Sequence, residues 1–204
     1  MLNETGLRDA VDQLAAVEPA FAAAIARVGY PAPRVREPGY ETLLRTIVGQ
    51  QVSVASASAV WTRLETLLGK GCAPDALLAQ DYDALRGCGL SRQKQGYARS
   101  LAALVLSGEL DLGNLPDDDE AAIAQLVHVK GIGRWSAEIY LLFAEGRPDI
   151  WPAGDLAVQI EIGRLLKLPA RPTEKETRAL GDGWRPWRGA AAILAWHHYN
   201  TEVI

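Results

Sequence analysis

Two glycines, Gly131 and Gly133, stand one residue apart in Val127-His-Val-Lys-Gly-Ile-Gly-Arg-Trp-Ser-Ala-Glu-Ile-Tyr. A glycine inside a helix costs about 1 kcal/mol against alanine, so both do not belong in one helix. The residues before them, Ala121-Ala-Ile-Ala-Gln-Leu-Val, and those after, Trp135-Ser-Ala-Glu-Ile-Tyr-Leu-Leu-Phe-Ala, each carry apolar side chains at helical spacing. The stretch from about 120 to 145 therefore predicts two helices hinged on a tight turn. The second helix starts with backbone N–H groups outside the ladder and the positive end of the dipole, a pairing that attracts phosphate. Lys130 and Arg134 flank the turn with cations. A bare Gly-x-Gly equally suits a helix C-cap; the basic neighbours and the later Asp155 tilt the reading toward an anion.

The rest of the chain also reads as helix. Leu7, Ala10, Val11, Leu14 and Ala15 mark a helix over Gly6–Val17, and Pro19 opens another through Phe21, Ile25 and Val28. Pro31, Pro33 and Pro38 make Gly29–Gly39 a loop. Tyr40 to about Gln51 is helical, with Leu43, Leu44, Ile47 and Val48 inward, and Ser53 caps Val54–Leu68. Short helices start at Pro74-Asp75 and after Asp81, and Ser91 caps a long one to Leu106. A loop follows over Asp111–Asp119, ahead of the hinge. A second loop, Gly146–Gly154, leads into a helix over Asp155–Leu168. Thr173-Glu-Lys-Glu has the form of a capping box, and Trp187 to about Tyr199 is the last helix. No stretch alternates with period two for long enough to make a sheet, so the class is all-α.

A chain of 204 residues is long enough for one domain or two fused lobes. No apolar run is long enough to span a membrane. The N-terminus, with Asn3, Glu4 and Asp9, lacks a secretory pattern, so a cytoplasmic location is expected, at the nucleoid if the source is bacterial. Cys72 and Cys88 form no Cys-x-x-Cys, which argues against structural zinc and against an iron–sulfur cluster needing four thiolates. The net charge of −4 is unevenly spread. Ala84–Gly108 contains no acid but has Arg86, Arg92, Lys94 and Arg99, whereas Glu109–Glu120 is strongly acidic. A one-sided basic face is compatible with DNA; ordinary solvated helix faces would look the same residue by residue.

Several motifs together resemble one family. Gly131-Ile-Gly-Arg-Trp-Ser-Ala, Trp151-Pro-Ala-Gly-Asp155-Leu-Ala-Val, Ile47-Val-Gly-Gln-Gln-Val-Ser-Val, Leu85-Arg-Gly-Cys-Gly-Leu-Ser-Arg-Gln-Lys and Trp184-Arg-Pro-Trp-Arg are similar to the helix-hairpin-helix DNA glycosylases. Within them the chain resembles the DNA-3-methyladenine glycosylase II family, from about Tyr30 to Tyr199. The resemblance implies one all-helical glycosylase domain of two lobes with a central cleft, without the extra N-terminal mixed α/β region of larger members. It implies removal of alkylated bases of the 3-methyladenine type from double-stranded DNA by a monomeric enzyme.

Breaking an N-glycosidic bond leaves the sugar oxocarbenium-like, and a carboxylate can stabilise that charge or direct a water. The resemblance gives this role to Asp155, which by position alone would be a helix N-cap. Trp135 stands where bifunctional relatives place the lysine that forms a Schiff base. That implies a monofunctional enzyme leaving an intact abasic site. Alkylation makes the base cationic, and the electron-rich rings of Trp135 and Trp196 suit it. His197 and His198 are read as surface or cleft-rim residues, one of them able to line the pocket. Relatives often carry Tyr where Ile139 and His197 fall, so a wider pocket is expected.

An extruded base leaves a gap in the duplex. By family position Gln51 fills it, although a polar residue ending a helix would read alike. Phosphate contacts fall to Gly131 and Gly133 amides, Ser136, Lys130 and Arg134, with Arg92 and Lys94 around a second turn. Hairpins of this kind offer carbonyls to Na+ or K+, here those of Val127, Val129 and Gly131; no other cofactor is expected. The alternative is a non-catalytic helix-hairpin-helix DNA-binding module, which accounts for Gly131–Ser136 but not for Asp155 or the tryptophans.

Overall fold

The computed structural model describes residues 2–202, and every regular element among them is helical. The chain divides into two compact units. A terminal unit draws on Met1–Arg36 and Leu141–Ile204, and an inserted unit on Glu37–Tyr140. No helix among the described residues is long and apolar enough to cross a membrane.

The chain runs through α1 (Glu4–Val17), α2 (Pro19–Val28), α3 (Tyr40–Gly49), α4 (Val54–Leu68), α5 (Pro74–Ala79) and α6 (Tyr82–Gly87). It continues with α7 (Arg92–Ser107), α8 (Asp119–Val127), α9 (Arg134–Phe143), α10 (Leu156–Leu165), α11 (Glu174–Leu180) and α12 (Arg188–Glu202). Caps set most boundaries. Ser53, Asp81 and Ser91 accept backbone N–H groups of Ser56, Ala84 and Lys94, as their sequence positions predict. The Thr173–Glu176 capping box is complete, with both reciprocal bonds formed.

Several boundaries differ from the sequence reading, among them the last helix, which runs to Glu202 rather than about Tyr199. Asn3 caps α1, so that helix starts at Glu4 rather than Gly6. Asp118 caps α8, which takes Asp119 out of the loop. Helix α3 stops at Gly49 because Gln50 turns out of the helical region at ψ 129, ahead of Gln51 at φ +55. Helix α10 ends at Leu165, short of Leu168, and Lys167 follows at φ +53.

The terminal unit is built on α12, whose Ala190–Ala195 are all buried. These mostly small residues let α1, α2 and α10 pack against one helix. Gly189 continues the run: a Cβ there would lie 2.8 Å from the Pro148 carbonyl oxygen, so no larger residue fits. A chain of aromatic rings fixes the segment before α10. Phe21 meets Trp184 edge-on at 4.9 Å, Trp184 meets Trp151 edge-on at 5.5 Å, and the Trp151 indole donates to the Thr177 carbonyl at 2.9 Å.

In the inserted unit the core joins Leu43, Leu44, Ile47 and Val48 of α3 to Trp61 and Leu64 of α4 and to Ala98, Leu101 and Ala102 of α7. The apolar face of α3 is the one its sequence predicts. Cys72 and Cys88 are buried thiols in this unit. Burial, followed by the nearby Glu65 and Glu41, pushes the Cys72 thiol up to about 11.

Candidate active site

Asp155 sits at the N-cap of α10 and is half-buried. Its Oδ1 accepts the Val158 backbone N–H at 3.0 Å and the Trp196 indole N–H at 3.0 Å. Two donors on one oxygen, one from α10 and one from α12, fix the rotation of the carboxylate. The loop in front is equally constrained. Gln159 donates its side-chain amide to the Ala153 carbonyl at 2.8 Å, and the Asp155 N–H donates to the Pro152 carbonyl at 2.9 Å. The Asp is thus both a cap and a positioned anion; the two readings of the sequence coexist in one residue.

Trp196 is half-buried, and its ring lies against Phe143 with centroids 5.7 Å apart and planes tilted by 34°. A hollow of about 110 Å³ adjoins it, lined also by Pro31, Arg34, Ile193 and His197. Asp155 does not line that hollow; it meets the same indole at its N–H edge. His197 points Nε2 to the Val28 carbonyl oxygen at 2.9 Å. The expectation that His198 is a surface or rim residue is wrong. It is 4% exposed, and its Nδ1 lies 2.6 Å from Oε1 of the fully buried Glu161. A buried carboxylate on α10 opposite an imidazole on α12 has no signature in linear sequence.

The hinge lies in the inserted unit, between α8 and α9. Gly131 has φ +83, and a Cβ there would fall 2.2 Å from the Tyr97 ring. Only glycine meets both conditions. The neighbouring Lys130 N–H donates to the Ser100 hydroxyl at 3.2 Å, so α7 supports the turn from behind. The Ile132 N–H closes the turn on the Val129 carbonyl at 3.0 Å. Lys130 and Gly133 are exposed, and Ser136 is half-buried in the first turn of α9. Trp135 is 47% exposed, so its ring is open to solvent rather than part of the core. Ile139 is half-buried.

Two predicted cations are engaged within the unit. Arg134 forks onto Glu120, with Nη1 at 2.8 Å and Nη2 at 2.5 Å, and sends Nε to the buried Glu138 at 2.9 Å. Hydrogen bonding to Glu120, with Glu138 adding to it, holds the guanidinium far above its ordinary range. Arg134 therefore braces the hinge with a neutralised charge. Lys94 donates Nζ to the Val48 carbonyl at 2.8 Å, at the end of α3, and desolvation lowers its pKa. Arg92 is exposed and lies over the Tyr82 ring at 4.6 Å. Gln51 is exposed in its left-handed conformation. Sequence reading missed Tyr97, Ser100 and Glu120, which act across long separations. Glu138 had a signal, the i,i+4 spacing from Arg134.

Comparison with known proteins places these features in a group. Residues 44–186 match the HhH-GPD superfamily of base excision DNA repair proteins. The chain is 32% identical over 165 residues to DNA-3-methyladenine glycosylase 1 of Schizosaccharomyces pombe, covering 79% of this chain and 72% of that one. A crystal structure of a DNA-3-methyladenine glycosidase from Bacillus halodurans superimposes with a TM-score of 0.88 at 29% identity, over 95% of this chain and 90% of that one. The Schizosaccharomyces pombe 3-methyladenine DNA glycosylase Mag1, solved in complex with abasic DNA, gives a TM-score of 0.79 at 28% identity, over 96% and 97%.

Proposed function

Since the chain belongs to the HhH-GPD superfamily of base excision DNA repair proteins, we propose that it is a monofunctional DNA glycosylase acting on alkylated bases of the 3-methyladenine type in double-stranded DNA. The observation that carries this reading is the half-buried Asp155 carboxylate, fixed through Oδ1 by the Val158 amide and the Trp196 indole.

Base release breaks the bond from C1′ to the base nitrogen, whose electron pair leaves with the base. Positive charge grows on the sugar, and water closes the reaction by bonding to C1′ and losing a proton. Asp155 is an anion already oriented before that charge develops, the condition under which electrostatic stabilisation costs no reorganisation. It also serves as the acceptor for the water proton. An alkylated purine leaves as a neutral base, so no separate acid is required. Trp196 supplies an aromatic face for the cationic base and holds the carboxylate by its N–H. Trp135, at the position of the strand-cleaving lysine, has no amine to attack C1′. His197, tied to Val28 beside the hollow, occupies less volume than a tyrosine, in keeping with a wider pocket.

The Gly131 and Gly133 amides, with Lys130 and Ser136, suit a phosphate, and Gln51 is read by family position as the side chain that enters the gap left by the base. Val129 and Gly131 carbonyls each accept one hydrogen bond and retain a second lone pair. With Val127 these are the carbonyls that would hold a Na+ or K+ ion, which would add positive charge for the phosphate. The non-catalytic module leaves the two-donor fixation of Asp155 without a purpose. The test is release of 3-methyladenine from methylated duplex DNA. Retention of all methylated bases under single-turnover conditions, with duplex binding intact, would overturn the enzyme in favour of the module.

A further inference from the structure

We propose that Gln50 is a positioning residue that ties the plug turn to the phosphate-gripping hinge, setting the distance at which Gln51 enters the duplex. The proposal rests on the reading of Gln51 as the gap-filling side chain. Its basis is a contact across 81 residues of sequence: the Gln50 side-chain amide donates Nε2–H to the Gly131 carbonyl at 2.8 Å. Gly131 is the residue whose conformation creates the hinge. One peptide further on, Gln51 is held at φ +55. A side-chain-bearing residue in that region persists only where its surroundings fix it.

The surroundings are fixed on both sides. Before the turn, Lys94 holds the Val48 carbonyl at 2.8 Å, and the Gln50 N–H closes on the Ile47 carbonyl at 3.3 Å. After it, Ser53 caps α4 through the Ser56 N–H at 3.2 Å. At the far end of the Gln50 bond, the Tyr97 ring occupies the space where a Gly131 side chain would lie, and Ser100 accepts the Lys130 N–H. The Gln50 amide is thus a strut between two stiff supports. One support presents the wedge and the other the phosphate grip. A wedge inserts usefully only at a set depth relative to the backbone it is anchored to, so loss of the strut should reduce insertion before it reduces docking.

The experiment uses a duplex containing a tetrahydrofuran abasic site flanked by 2-aminopurine, whose fluorescence reports unstacking when the gap is filled. Gln50→Ala and the similarly sized Gln50→Met both remove the donor. Each is expected to lower the 2-aminopurine signal at saturating protein. Each is also expected to slow single-turnover release of methylated purines by about three- to tenfold. Melting temperature and affinity for undamaged duplex should hold, results that a merely structural role would not give. Gln51→Ala should show the same loss, and the Gln50→Ala/Gln51→Ala pair should be no worse than Gln51→Ala alone. If Gln51→Ala is defective while the Gln50 variants are normal, or if the two losses multiply, the strut is refuted and the plug stands. If Gln51→Ala itself inserts and turns over normally, the plug reading falls and the strut with it.

Discussion

Replacing Asp155 by asparagine removes a charge while sparing the contacts that hold it. Asparagine caps helices as well as aspartate, so its carbonyl oxygen can keep the Val158 N–H. The same oxygen can keep the Trp196 indole N–H, since the amide nitrogen would place donor against donor. The stability change should therefore be about 1 kcal/mol or less, or ~2–4 °C in melting temperature for a chain of this size. The kinetic change should be far larger. A carboxylate about 4 Å from a developing unit charge, at an effective dielectric near 20, interacts by ~4 kcal/mol. That corresponds to roughly three orders of magnitude in rate. The assay is single-turnover release of 3-methyladenine from methylated duplex, with thermal melting and duplex binding measured on the same variant. A folded, DNA-binding Asp155→Asn protein that releases base within about threefold of the parent rate would refute the electrostatic role.

Other expectations follow from named contacts. Trp196→Phe keeps a stacking face but removes the N–H on Asp155 Oδ1, so single-turnover release should fall about tenfold; an unchanged rate would show that the bond does not orient the acid. Gly131→Ala meets both a left-handed φ and the Tyr97 ring, so it should lose ~2 kcal/mol and about 4–8 °C in calorimetry, with weaker duplex binding by anisotropy. The Thr173 backbone N–H, then its hydroxyl, holds the Glu176 carboxyl below its ordinary 4.5. A depressed carboxylate stabilises the fold above that ordinary value and loses its contribution as pH falls through the folded value. Glu176→Gln should therefore flatten the acid limb of a melting-temperature profile, and an unaltered limb would count against the box.

Much of the fold was legible because helices announce themselves locally. The inward faces of α1 and α3 and the caps Ser53, Asp81, Ser91 and Thr173 depend on residues within a turn or two. Boundaries failed where a distant contact or an unusual φ decided them, as at Gln51 and Lys167. For the candidate site, Asp155 stood out by motif order, but its hydrogen bond to Trp196 did not, since it joins α10 to α12 across 41 residues. The cations were the least legible. Charge alone does not reveal that Arg134 faces Glu120 and Glu138, or that Lys94 caps α3. His198 was misplaced for the same reason, its Glu161 partner being 37 residues away.

The central claim is that a fixed carboxylate drives hydrolysis without an amine nucleophile. Its most direct measurement is product analysis of a single methylated duplex after one turnover. Free methylated base in the supernatant is expected, with an unbroken strand that nicks only on later alkali treatment and no adduct trapped by borohydride. A borohydride-trapped protein–DNA adduct, or a strand cut without alkali, would contradict it.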